Sequence, residues 1–328
     1  MNRRTQQLEK GTVLITRIAK PTHGSQEWLN VRWRNENGEA RIAASACAAV
    51  HGQHAFVTPA DLATELLAEN PPEPKAPNSA MLRGTTLEAP IRDWAGTLLG
   101  HPLTEPNELF AYDEPGVRLI ATIDSMSEDG RVFEQKTTNK IWRGELPAYW
   151  YWQGVQQAIC TGVSEITWIV FDSTLDLHFH VQAVSSDEKQ THIDACRTFL
   201  ASIDMGMMPE NAVLEYRHVQ ARFPEGKGGA QAGIELPQDA LALIERYELA
   251  KAQKAQAEQM EDLVKAQLCE MLGSSEYGLM QDQLLLTWKT ANRTSFDSKK
   301  FEAEHPALAA KYKKQSTYRT FRVVGKDK

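Results

Sequence analysis

Leu119-Ile-Ala-Thr-Ile-Asp-Ser-Met-Ser-Glu-Asp-Gly-Arg-Val-Phe-Glu-Gln-Lys-Thr-Thr138 is the segment around which the rest of the chain is organised. Its flanks are β-branched and apolar, and Glu128-Asp129-Gly130 stands between them, so it reads as two strands joined by a tight turn. A two-residue loop at Asp129-Gly130 would set Asp124 opposite Gln135. A three-residue loop, with Gly130 in the left-handed position of a G1 bulge, sets Asp124 opposite Glu134 instead. Because side chains alternate along a strand, Glu134 and Lys136 already share a face. We adopt the second register, in which two carboxylates and one ammonium converge.

Two carboxylates a few ångströms apart repel unless a cation or a proton lies between them. Oxygen donors of this kind suit Mg²⁺, which keeps several waters and takes few protein ligands. A lysine two residues from one ligand can orient a water or neutralise charge growing on a phosphate. Asp…Glu-x-Lys is thus a compact set for metal-assisted phosphodiester hydrolysis. The competing reading is a solvated hairpin whose Glu134 and Lys136 are surface charges.

The remaining 300-odd positions bound the class. With 42% hydrophobic and 24% charged residues among 328, the chain has the composition of a globular protein with room for a core and an appended module. No apolar run approaches a membrane span, and the N-terminus lacks the apolar core of a signal peptide. Cys47, Cys160, Cys196 and Cys269 stand far apart with no C-x-x-C pair. They fit neither a zinc site nor an iron–sulfur cluster, and point to a reducing cytoplasm. The net charge of −7 is unevenly spread: residues 284–328 hold eleven Lys/Arg against four Asp/Glu, a balance of +7 that leaves −14 for the rest. An acidic body with a basic tail is compatible with an enzyme acting on DNA.

In order along the chain, residues 1–22 read as an arm or edge strand around Val13-Leu14-Ile15. Ser25 is placed to cap a helix carrying Trp28, Leu29 and Arg32. A second short helix is expected near Ala43-Ala44-Ser45, where Ser45 either caps it or offers its hydroxyl to a phosphate. Asp61–Glu69 reads as helix and Asn70–Asn78 as a Pro-rich connector. Arg83-Gly-Thr-Thr-Leu-Glu88 opens a further helix, where Glu88 is either half of a Thr85-x-x-Glu88 capping box or a ligand aimed at the hairpin. A helix from Ala148 to Gly162 carries an aromatic cluster with Gln153, Gln156 and Gln157, and two strands and a helix from Ser186 follow. These make an α/β domain around one mixed sheet, ending near residue 215. Residues 216–234 form a Gly-rich linker. From 235 to 328 come a long helix between Pro237 and Gly273, then a strand, a helix (298–314) and a strand (317–324) in a small basic module.

Four stretches taken together resemble one family. Gly24-Ser-x-Glu-Trp-Leu-x-x-Arg32 with Ile42-Ala-Ala-Ser45, Arg83-Gly-x-x-Leu-Glu88, Asp124…Glu134-x-Lys136, and Gln153 are similar, in order, to the motifs of the phage-type exonucleases of the YqaJ class. Those are relatives of phage lambda exonuclease within the PD-(D/E)XK nuclease superfamily, and the resemblance covers about residues 23–205. It implies a restriction-endonuclease-like mixed-sheet core with flanking helices. It also implies that Asp124, Glu134 and the backbone carbonyl of Gln135 bind Mg²⁺, with Mn²⁺ as a substitute. By the same resemblance Glu88 holds a second metal or its water, Lys136 orients the attacking water, and Arg32, Ser45, Thr122 and Gln153 surround the terminal phosphate and scissile site. Two positions depart from the pattern: Ile123 replaces the proline before the core aspartate, and Val155 replaces the second glutamine of Gln-x-Gln.

The resemblance further implies a 5′→3′ exonuclease on double-stranded DNA ends, leaving 3′ overhangs for a single-strand annealing partner, and a ring-like homo-oligomer in the cytoplasm. A repair or restriction-like endonuclease with the same metal core is one rival reading. A non-catalytic DNA-binding scaffold is another, and the intact Asp124, Glu134 and Lys136 speak against it.

Overall fold

In the computed structural model, which describes residues 14–74, 76–226, 233–313 and 318–324, the stretch 119–138 leaves one sheet and enters another. The chain divides into two units, Met1–Phe223 and Pro224–Lys328. The first begins with strand β1 (Leu14–Ala19), helix α1 (Gln26–Trp33), strand β2 (Ile42–Ala43), a 3-10 turn at Cys47–Ala49, and helices α2 (Pro59–Leu66) and α3 (Ser79–Leu99). Strands β3 (Leu103–Thr104), β4 (Glu108–Glu114), β5 (Val117–Ala121), β6 (Ser125–Ser127) and β7 (Val132–Thr137) follow. Helix α4 (Ala148–Thr161), strands β8 (Glu165–Phe171) and β9 (Leu177–Ala183), and helices α5 (Ser186–Asp204) and α6 (Tyr216–Arg222) complete it.

The α/β class holds, but the single expected sheet is two mixed sheets, β1-β4-β5-β2 and β3-β6-β7-β8-β9. The chain passes between them at Thr122-Ile123-Asp124. Ile123 is fully buried there, so the crossing is anchored in the core while its two neighbours remain half-buried. The hairpin register is the one that the three-residue turn requires. Ser125 pairs with Phe133 and Met126 with Val132, and one step further sets Asp124 across from Glu134. Gly130, at φ +85°, closes the turn by donating its N–H to the Ser127 carbonyl at 3.0 Å.

Helix α4 lies over this crossing. Val155, Ala158, Ile159 and Cys160 pack with Leu119, Ala121, Ile123, Ile166 and Trp168 in the main core, and Trp142 and Trp168 stack on Trp150. Gly154 allows the close approach, since a Cβ there would collide with Gln182. Of the aromatic cluster, Trp150 is core, and Tyr149, Tyr151 and Trp152 are half-buried against it. Cys47, Cys160 and Cys196 are buried free thiols, as expected of small apolar fillers, while Cys269 is half-buried.

Local expectations fail where a stronger cap or a tertiary contact wins. Ser25 does cap α1, accepting from Trp28 N at 3.2 Å. Ser45 caps nothing: Ile42–Ala43 form a strand parallel to β5, and the 3-10 turn beyond has no side-chain cap. Helix α3 starts at Ser79, not near Arg83, because Asn78 accepts from Ala80 N and Met81 N. Thr85 and Glu88 are thus interior to the helix, and the capping-box reading falls. Residues 216–222, assigned above to the linker, are helix α6, tied to α2 by His218 Nε2 and Asp61 Oδ1 at 3.0 Å.

The second unit contains α7 (Ala240–Leu272), an antiparallel hairpin of β10 (Tyr277–Met280) and β11 (Gln283–Thr287), and short helices α8 (Ser298–Glu304) and α9 (Pro306–Tyr312). The expected helix over 298–314 is split because Pro306 lacks an N–H and holds His305 out of helical geometry (φ −134°, ψ 59°). Residues 318–324 of the expected strand are not strand, while Thr317 of that strand and Lys314 of the expected helix lie outside the described residues. The expected arm over 1–22 is described only from Leu14, where β1 is an edge strand paired with β4, and the Gly-rich 227–232 lie outside the description.

Candidate active site

Glu134 is the centre of the site and is only 3% exposed. Its Oε1 accepts from Lys136 Nζ at 2.6 Å and from Gln153 Nε2 at 2.5 Å, and its Oε2 accepts from Gln157 Nε2 at 2.5 Å. Gln153 and Gln157 are one helical turn apart on α4, so both amides face the same strand. Gln157 Nε2 also donates to the Thr122 carbonyl at 3.1 Å, joining Glu134 to the crossing segment. Asp124 Oδ2 accepts from Gln135 N at 2.8 Å, which fixes the carboxylate against β7. The Thr122 hydroxyl is buried with no hydrogen-bond partner among the described residues.

The charges are crowded, around a Glu134 that is itself buried. Burial first, then Glu134 and Glu88, push the Asp124 carboxyl well above the usual carboxylate range, against Lys136 and the Gln135 N–H. Burial raises Glu88 too, aided by Glu105 and Glu134 and opposed by Lys20 and Arg92. For Lys136 burial pulls downward, but Glu134 and Asp124 outweigh it and the ammonium is held more firmly than usual. Helix α3 therefore brings Glu88 into the field of both core carboxylates.

Among the described residues no group of three or more His, Cys, Asp or Glu forms a ready-made metal cage. The donor set nevertheless fits a hard divalent cation. Asp124 Oδ1 has no hydrogen bond among the described residues, Glu134 Oε2 has one donor and a remaining lone pair, and Glu88 is half-buried nearby in electrostatic terms. A cation bound by few protein oxygens and several waters would relieve the repulsion that raises Asp124 and Glu88.

A second cluster lies on α1 and the segment after β2. Arg32 Nη2 donates to Ser45 Oγ at 2.6 Å, and its guanidinium sits 3.9 Å from the Trp28 ring centroid. Burial lowers the Arg32 pKa to about 10, against the pull of Glu65, so the group stays charged at neutral pH. Ser45 is exposed, and its carbonyl lies 3.1 Å from His54 Nε2. His54, Phe56 and Tyr149 form an aromatic rim beside it, with Phe56 81% exposed.

Thr122, Asp124, Glu134, Lys136 and Gln153 thus gather at the crossing, Glu88 lies within their electrostatic reach, and Arg32 and Ser45 form the second cluster. Three others received no role from the sequence. Gln157 was legible, since i,i+4 from Gln153 shares its face. Arg92, i,i+4 from Glu88, was legible in the same way; its Nη1 lies 3.2 Å from Glu105 Oε2 and 3.5 Å from the Asp124 carbonyl. Lys20 pairs with the other oxygen of Glu105 at 2.6 Å, and nothing local in sequence signals that contact. Val155, at the position of the second family glutamine, is fully buried in the core.

The YqaJ-like viral recombinase domain family matches residues 27–164. Among solved structures, the chain is similar to the alkaline exonuclease LHK-Exo from Laribacter hongkongensis, with 21% identity over 55% of this chain and 93% of that one and a TM-score of 0.43. The same exonuclease in complex with dAMP gives the same identity and coverage with a TM-score of 0.44. A structure of SSO0001 matches at 11% identity over 54% of this chain and 83% of that one, with a TM-score of 0.34. No curated protein matches. The segment that holds Arg32, Ser45, Glu88, Thr122, Asp124, Glu134, Lys136, Gln153 and Gln157 lies wholly within the residues that are similar to a YqaJ-like viral recombinase domain.

Proposed function

We propose that the chain is a metal-dependent deoxyribonuclease that degrades double-stranded DNA from its ends, 5′→3′, leaving 3′ overhangs for a single-strand annealing partner. The observation that carries this reading is Glu134, gripped through both oxygens by Lys136, Gln153 and Gln157, with Asp124 in register across the hairpin. Asp124, Glu134, the Gln135 carbonyl and Glu88 are the groups that would hold Mg²⁺ or Mn²⁺. Such an ion, when bound, supplies Lewis-acid polarisation of the phosphate and acidifies water.

The chain's own residues do the rest. Gln153 and Gln157 keep Glu134 from rotating, so its remaining lone pair keeps one direction. Lys136, held charged beside Glu134, orients the attacking water and offsets charge growing on the phosphoryl oxygens. Arg32 and Ser45 take the terminal phosphate, a task for which a planar guanidinium provides paired donors. That pocket is what favours an end-directed enzyme over the endonuclease rival. The ring-like oligomer, the annealing partner and a cytoplasmic location belong to the same reading. Among the described residues no helix is long and apolar enough to cross a membrane.

The test is the end. Arg32→Ala should remove the preference for 5′-phosphorylated over 5′-hydroxyl duplex in steady-state hydrolysis. A variant that keeps that preference would show that Arg32 does not read the terminus.

A further inference from the structure

Gln156 lies between Gln153 and Gln157 but does not face Glu134. It is fully buried, and its Nε2 donates to the Ile42 carbonyl on β2 at 2.8 Å and to the Ile120 carbonyl on β5 at 3.1 Å. A primary amide has two N–H groups, so both are spent on main chain. Its Oε1 must then accept, and the group facing it is His192 Nε2 at 3.0 Å. The tautomers follow from that contact. His192 carries its proton on Nε2, and its Nδ1 accepts from His51 Nε2 at 2.8 Å. The His51 ring stacks on Trp152 with centroids 3.7 Å apart, and Cys196 Sγ lies 3.5 Å from His192 Nε2.

The two carbonyls that Gln156 joins are not ordinary ones. Strand β2 is two residues long and parallel to β5, pairing Ile42 with Leu119 and Ala43 with Ile120. One further bond, Ala44 N to the Ile120 carbonyl at 2.9 Å, ends the ladder. So short a parallel pair has little intrinsic hold on its own register. Directly beyond it the two chains part. Ile42 leads to Ser45, the partner of Arg32, and Ile120 leads to Thr122 and Asp124.

We infer that Gln156 is a positioning residue that sets the spacing between the Arg32–Ser45 pocket and the Asp124–Glu134 carboxylates, by tying β2 to β5, with the His51–His192 pair fixing its amide. This rests on the end-directed nuclease reading. A terminal phosphate seated in the pocket delivers the next phosphodiester to Asp124 and Glu134 only while that spacing is kept. Misplacement by about an ångström costs about a hundredfold in rate.

The experiment compares Gln156→Met, His192→Leu and His192→Gln with the wild type, each below its own melting temperature. It measures kcat and KM on 5′-phosphorylated and 5′-hydroxyl duplexes. Gln156→Met and His192→Leu should lower kcat on phosphorylated ends by about a hundredfold, with KM nearly unchanged and the phosphate preference falling toward one. His192→Gln, whose amide can still donate to Gln156 Oε1, should keep the wild-type preference. If Gln156→Met does not fold, the two His192 variants carry the comparison. A folded Gln156→Met or His192→Leu protein with wild-type kcat and preference overturns the positioning role, as does a His192→Gln protein no better than His192→Leu. A wild-type protein indifferent to the terminal phosphate instead overturns the end-directed reading beneath it.

Discussion

Acid should weaken this protein through His192 before it titrates most carboxylates. Burial first, and His51 second, lower the His192 pKa from its ordinary 6.5 to about 3. The folded value lies below the unfolded one, so between them the unfolded chain binds more protons. Stability is therefore intact above pH 6.5 and falls as pH drops toward 3. At pH 5 the loss is the 1.5-unit gap to the unfolded value, about 2 kcal/mol relative to pH 7.5. For a unit of this size that corresponds to about 4–8 °C in melting temperature. Other groups titrate in the same window, so the informative quantity is a difference. Calorimetric melts of wild type and His192→Gln at pH 7.5 and 5.0 should show the acid-induced drop shrinking by about 4–8 °C in the variant. Equal drops in both proteins would mean that His192 is not held neutral in the fold, and the tautomer argument for Gln156 would fall with it.

Gln157→Leu should remove one charge-assisted hydrogen bond to the buried Glu134, worth about 1.5–3 kcal/mol. Combining it with Glu134→Gln should give strongly non-additive losses in single-turnover cleavage, and simple additivity would place Gln157 outside the site. The basic balance of residues 284–328 is expected to grip duplex phosphates. Truncation after Gly226 should weaken binding and flatten the salt dependence of log K by about 0.9 per lost contact; an unchanged slope would favour a protein-docking role for that segment.

What could be read from sequence followed from local rules. The turn chemistry of Gly130 sufficed for the register that places Asp124 opposite Glu134, and strand alternation sufficed for Lys136. The motif pairing of Arg32 with Ser45 also holds in space, at 2.6 Å. What escaped depends on contacts far apart in the chain. The passage from one sheet to another at Thr122–Asp124 has no local signal, because no turn residue separates strand β5 from strand β6. Ser45 looked like a cap until the pairing of Ile42–Ala43 with β5 claimed the backbone ahead of it. The Asn78 cap, a better acceptor for the first helical N–H groups, moved the start of α3 and removed the capping box from Glu88. The Lys20–Glu105 ion pair spans 85 residues and no periodicity announces it. Gln156, between two recognisable glutamines, was hidden because its partners are main-chain carbonyls.

The most direct measurement follows nucleotide release from linear and covalently closed circular duplex DNA, with Mg²⁺ and with EDTA, for wild type and Asp124→Asn. Wild type with Mg²⁺ should degrade linear DNA and spare closed circles, and EDTA or Asp124→Asn should abolish release. Hydrolysis of closed circles as fast as linear DNA, or full activity in Asp124→Asn, would contradict the end-directed, metal-dependent reading.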